Sequence, residues 1–65
     1  MIKYYYKERM DKPYRIVTES KMKISNLWID VVIYEALYEN KDGQIWVREK
    51  GSFYELFKPE NEQPS

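Results

Sequence analysis

Residues 27–38 read Leu-Trp-Ile-Asp-Val-Val-Ile-Tyr-Glu-Ala-Leu-Tyr, and they are apolar at both alternating sets of positions. Ile29, Val31, Ile33 and Leu37 make one set; Val32, Tyr34, Ala36 and Tyr38 make the other. A strand with one wet face alternates strictly, so apolarity on both faces marks a strand inside a sheet that curls over its own core. Helix propensity competes over 33–39, but the Val-Val-Ile run and the Asn-Lys-Asp-Gly at 40–43 favour a strand leading into a hairpin. Gly43 supplies the positive φ that closes such a turn. Residues 44–49 then return as the partner strand, with Ile45 and Val47 on one face and Trp46 and Arg48 on the other.

The other elements follow from the same local chemistry. Residues 2–7 form a Tyr-rich strand, residues 9–12 a turn, and Pro13 opens a second strand through Thr18, where its missing N–H costs little. Residues 19–26 are polar and basic, with Met22 and Ile24 as their large apolar groups; they read as the longest loop or a weak edge strand. After Gly51 the period changes: Ser52 and Glu55 are spaced as a capping box, and Phe53, Leu56 and Phe57 share one side of a short helical turn that Lys58 and Pro59 end. Residues 59–65 offer nothing apolar to bury and are expected to form a disordered C-terminal tail.

A chain of 65 residues makes one domain, here 1–58, and buries only about 60% of what its unfolded form exposes. Four to five short antiparallel strands and one C-terminal helical turn bury a core most economically as an all-β, SH3-like half-barrel. With no Cys and no His, neither a disulfide nor a Cys/His zinc site reinforces it, and imidazole-based catalysis is excluded. The lack of disulfides fits a reducing cytoplasm. The N-terminal residues carry no apolar run of the signal-peptide kind, and 31–34 is far too short to span a bilayer, so no membrane association is expected.

Residues 32–38, then Ile45-Trp46-Val47-Arg48, then Phe53 resemble the domain-of-unknown-function family 1653 of bacteria and their phages. Its pattern of Val-Val-Tyr-x-x-Leu-Tyr, Trp-Val-Arg-Pro and a following Phe covers the centre of the chain. Tyr6-Lys7 and Tyr14-Arg15-Ile16 stand at the places of its first two strands. The chain departs from the pattern with Glu8 where the family has Gly, Tyr5 where it often has His, and Glu49 in place of Pro. The resemblance implies a compact β-rich domain and brings no catalytic residues with it.

Lys and Arg number 11, as do Asp and Glu, yet the basic residues concentrate early. Residues 1–25 hold Lys3, Lys7, Arg9, Lys12, Arg15, Lys21 and Lys23 against Glu8, Asp11 and Glu19. Interleaved strands would mix these charges into an ordinary surface; a shared face would attract phosphate or an acidic protein patch. Trp46 and Arg48 either project together as an anchor for a partner or lie in the core and along the sheet edge. Tyr5 between Lys3 and Lys7 is suited to a protein or phosphate contact, or to an ordinary half-buried strand; Trp28 is an anchor or a plug for a barrel end.

No Gly-rich phosphate loop or metal-ligand cluster is written in the chain, so no cofactor and no metal are expected. Pairs such as Asp30 with Glu35 or Glu39 with Asp42 arise by chance at a charged fraction of 34%, and no enzyme activity is expected. The expected function is a small protein-binding module, a phage-derived modulator of a host protein being one setting. Its partner surface would comprise Tyr5, Trp28, Trp46 and Arg48, with Lys21 and Lys23 steering. The alternative is a nucleic-acid-binding domain using Lys3, Lys7, Arg9, Arg15, Lys21 and Lys23. Self-association through an open edge strand is compatible with either.

Overall fold

The structure, a computed structural model, describes residues 1–7 and 9–60. Five strands, β1 (Tyr4–Tyr6), β2 (Arg9–Ile24), β3 (Leu27–Ala36), β4 (Ile45–Glu49) and β5 (Phe57–Pro59), form one antiparallel sheet in the order β4-β3-β2-β1-β5. The sheet is open, with β4 and β5 at its edges. Among the described residues a single helix, α1 (Lys50–Leu56), leads from β4 at one edge to β5 at the other, and so covers one face. This is the small all-β fold expected from the strand pattern.

The covered face carries the core. On β3, Val32, Tyr34 and Ala36 are 0–3% exposed, and Val32 and Tyr34 pack with Phe53 of α1 and Phe57 of β5. The Phe53 and Phe57 rings stack 4.6 Å apart, 5° from parallel, and Tyr34 tilts against both at 5.0 and 5.2 Å. Aromatic pairs at such spacings add stabilisation beyond their buried area. The interior position of β3 is also visible on its other face, where Val31 is 3% exposed.

Four local expectations are corrected. Residues 9–12 are not a turn: Arg9 already pairs with Tyr6 and opens β2. Residues 19–24 are not a loop: they extend β2 to sixteen residues, paired with β3 from Tyr14↔Ala36 to Ile24↔Leu27. The chain reverses in two residues, Ser25 (φ 46°) and Asn26 (φ 67°), both left-handed, as in the two-residue hairpin turns whose twist matches that of strands. The helix starts before Ser52. Glu49 is its N-cap, and its carboxylate accepts from the backbone N–H groups of Gly51 (2.7 Å) and Ser52 (3.1 Å). Residues 59 and 60 do not belong to a tail: Pro59 lies in β5 opposite Tyr4, and the Glu60 N–H donates to the Lys3 carbonyl at 2.8 Å. Residues 61–65 of the expected tail lie outside the described residues.

Candidate functional site: an aromatic, cationic pocket and a hairpin arm

Register decides which side chains meet. Tyr34 on β3 stands opposite Trp46 on β4, and Val32 stands opposite Arg48, so Trp46 and Arg48 fall on the helix-covered face. Tyr14 of β2 meets the same face, its ring edge-on to Tyr34 and Phe57. Tyr6 of β1 stands edge-on to Phe57. These residues line a half-open cavity of about 340 Å³. Tyr38, Asn40 and Asp42 of the β3–β4 loop and Arg9 and Lys12 of β2 also line it.

The loop is held in place by its own polar groups. Asn40 Oδ1 accepts from the Asp42 N–H (3.0 Å), and the Gly43 N–H donates to the Asn40 carbonyl (3.2 Å). Gln44 Nε2 spans the loop base, donating to the carbonyls of Ala36 and Tyr38, each at 2.7 Å. Trp46 Nε1 donates to the Gly43 carbonyl (2.8 Å), which satisfies the indole and lays its ring against Gly43. Gly43 adopts φ +147°, so glycine is needed for conformation; a Cβ there would meet the Trp46 ring at 3.4 Å, an ordinary van der Waals contact.

Within the cavity the cations are ordered by rings rather than by carboxylates. The Arg48 guanidinium lies over the Phe57 ring (5.5 Å to the centroid) and its Nε donates to Tyr34 Oη at 3.3 Å. Lys12 Nζ lies over the Tyr38 ring at 5.3 Å. Ion pairs among the described residues engage Arg15, Lys21 and Lys50, and none engages Arg9, Lys12 or Arg48. The Tyr14 and Tyr38 hydroxyls are hydrogen-bonded at 2.5 Å, and Asn40 Nδ2 donates to Tyr38 Oη at 3.2 Å. Burial, reinforced by the bond to Tyr38 and opposed by the Arg9 cation, pushes the Tyr14 phenol well above the usual tyrosine range. It is therefore a neutral hydroxyl at physiological pH.

The second feature is the far half of the β2–β3 hairpin. Pairing of β4 with β3 stops at Val31↔Glu49 and pairing of β1 with β2 stops at Tyr14, so the hairpin continues as a two-stranded arm. The molecule measures 42 × 26 × 21 Å, its length twice its thickness. Leu27 is 68% and Trp28 65% exposed, and Ile24 and Met22 are 46% and 40% exposed. Lys23 stands opposite Trp28 with its Nζ over the indole at 5.7 Å, and Lys21 pairs with Asp30 at 2.6 Å.

The expected partner surface is thus divided three ways. Trp46 and Arg48 share the pocket; Trp28, Lys21 and Lys23 share the arm; Tyr5 alternates to the face opposite Tyr4 and Tyr6 and lies half-buried between Pro13 and Lys58. The expected nucleic-acid residues disperse further. Arg9 borders the pocket, Arg15 is paired with Glu35 at 2.6 Å, Lys21 and Lys23 are on the arm, and Lys3 and Lys7 flank β1. Asp30 and Glu35 lie on opposite faces of β3 and are bonded to different cations.

The pocket's Tyr6, Lys12, Tyr14, Tyr34, Tyr38 and Phe57 were not singled out as site residues from the sequence. The spacing of Tyr34 to Tyr38, set against Trp46 and Arg48 across a four-residue turn, carried a usable signal, because the hairpin register alone places Tyr34 beside Trp46. Among the described residues no group of three or more Asp or Glu side chains is placed to hold a metal ion, and no helix is long and apolar enough to cross a membrane. No family model, curated protein or solved structure matches the chain. The resemblance to the phage and bacterial family rests on the quoted residues.

Proposed function

We propose that this chain is a non-catalytic binding module of the cytoplasm that engages a protein partner through the β2–β3 arm. The supporting observation is the exposure of Leu27 and Trp28, at 68% and 65%, on a ribbon that projects beyond the sheet. Ordering apolar groups in water on a protruding element is unfavourable unless a partner covers them; Met22, Ile24 and Leu27 stand on one face of the ribbon and Trp28 on the other, so both faces are offered. The arm offers two complementary contacts. Trp28, with Lys23 over its ring, is an anchor of the type that dominates interface energetics. Between Met22 and Asp30 both edges of the ribbon lack a neighbouring strand among the described residues, leaving backbone groups to which an extended segment of the partner can add. In this reading Trp46 and Arg48 belong to a different site. The family resemblance supplies the setting, a phage-derived modulator of a host protein.

The test replaces residue 28 with a photo-crosslinking aromatic amino acid, and residue 5 likewise as control. Each protein is irradiated in lysate split into nuclease-treated and untreated halves. A discrete, nuclease-resistant adduct at position 28, absent at position 5 and lost on Leu27→Ser, is expected. Trp28→Ala should then weaken the purified pair by about 30-fold, the effect of a hot-spot aromatic. An adduct made only with nucleic acid, an adduct of two copies of this chain, or none at position 28 overturns the reading.

A further inference from the structure

The pocket is independent of the arm and has chemistry of its own. Among the described residues, Arg9, Lys12 and Arg48 bring three cations to it, and Asp42 brings the one carboxylate. Because none of the three cations makes an ion pair among the described residues, the pocket holds positive charge that its own groups leave available. Its walls are rings: Trp46, Tyr38 and Phe57 offer π-faces or edges, and the Tyr14–Tyr38 hydroxyl pair offers neutral hydrogen-bonding groups. At about 340 Å³ it falls at the lower end of the range for small-molecule sites.

We propose that this pocket binds a nucleoside monophosphate, its phosphate on Arg9, Lys12 and Arg48 and its base against Trp46 and the Asp42 carboxylate. Each part of that ligand answers a feature of the pocket. The phosphate is a dianion suited to guanidinium forks and an ammonium. The flat base stacks on aromatic rings. Asp42 accepts only, so it repels a bare anion but favours a ligand that also presents N–H or O–H donors, as nucleobases and ribose do. A phosphorylated phenol carries a ring and a phosphate but no such donor. A long nucleic-acid strand needs a continuous basic track, and Arg15 and Lys21 are already paired to carboxylates while Lys3 and Lys7 lie apart from the pocket.

The experiment uses the full chain with Trp28→Phe, so that Trp46 is the sole indole and its fluorescence reports the pocket. Adenosine, guanosine, cytidine and uridine monophosphates are titrated, with adenosine, inorganic phosphate and a short single strand as comparisons. A saturable Trp46 response to at least one monophosphate is expected, with adenosine and inorganic phosphate each weaker by about tenfold or more, as losing one half of a two-part site requires. Arg9→Gln with Lys12→Gln should weaken the monophosphate by about tenfold at an unchanged melting temperature, since neither side chain is in an ion pair among the described residues. Asp42→Asn should weaken the monophosphate and not inorganic phosphate. Four results overturn the proposal: no saturable response to any monophosphate, a response unchanged in the double variant, inorganic phosphate binding as tightly as the nucleotide, or tighter binding of the single strand that falls steeply with salt.

Discussion

Phe53 is fully buried, and its ring touches Tyr4, Tyr34, Tyr54 and Phe57 at centroid distances of 4.6–5.7 Å. It comes from α1, whereas its neighbours come from β1, β3, β5 and α1 itself, so removing it breaks an aromatic contact set shared by the sheet and its cover. Phe→Ala in a core costs about 3–5 kcal/mol, which is as much as the core of a domain this small usually supplies. Phe53→Ala is therefore expected to leave the chain mostly unfolded at room temperature by far-ultraviolet circular dichroism. Phe53→Leu, which keeps most of the volume, should stay folded with a lower urea midpoint. A Phe53→Ala protein with a native spectrum and an unchanged midpoint would contradict this account of the core.

At the scale of elements, the arm of β2 and β3 is the instructive case. Glu19, Lys21 and Lys23 alternate with Ser20, Met22 and Ile24, which is a strand pattern, but its apolar members are few and its turn, Ser-Asn, lacks glycine. The pattern alone therefore fits a loop as well as a weak edge strand. Ser25 and Asn26 both hold positive φ, a conformation that costs an L-residue up to about 1–2 kcal/mol, least for Asn. Ser25→Asn together with Asn26→Gly fits the same turn with less strain. It should stabilise the protein by about 0.5–1.5 kcal/mol, seen as a higher urea midpoint at unchanged slope. A lower midpoint would mean that the turn does not have this geometry in solution. The helix start shows the opposite lesson: a plausible Ser52–Glu55 box loses to Glu49, because β4 delivers the Glu49 carboxylate directly over the first helical N–H groups.

For the whole molecule, charge ties the cover to the arm. Glu19 on β2 accepts from Tyr54 Oη at 2.7 Å and pairs with Lys50 at 3.0 Å, both from α1, while Lys21 and Asp30 clamp the two strands of the arm. The Tyr54 hydroxyl and then Lys50 hold the Glu19 carboxyl below its ordinary 4.5, and Lys21 holds Asp30 below 3.8. Burial, then Glu19, pushes Tyr54 up from 10.0 to about 12. Folded carboxylates with lowered pKa add stability that is complete above their unfolded values and is lost as pH falls through the folded ones. The raised tyrosine works the other way: its contribution is complete below 10.0 and is lost as pH rises through about 12. Melting temperature should thus be flat from about pH 5 to 10 and fall on both sides. In Tyr54→Phe the Glu19 titration, followed by carboxyl NMR shifts, should move up toward its ordinary value. An unmoved Glu19 would show that the two elements are not joined there.

Local chemistry, legible in the sequence, settled the interior strand over 27–36, the Asn40–Gly43 loop, the returning strand Ile45–Glu49 and a short helix carrying Phe53, because period and turn residues act over a few positions. The strand order, the pairing of β1 with β5, and the face that α1 covers were decided only by the tertiary structure. The β1–β5 pairing joins segments some fifty residues apart, such as Tyr6 with Phe57, and depends on summed packing against the cost of closing the chain, which no local preference encodes. The pocket belongs to the second kind. Trp46 and Arg48 were legible as a pair, but setting them beside Arg9, Lys12 and Tyr14 required the register, since a slip of one residue would turn every one of these side chains to the opposite face.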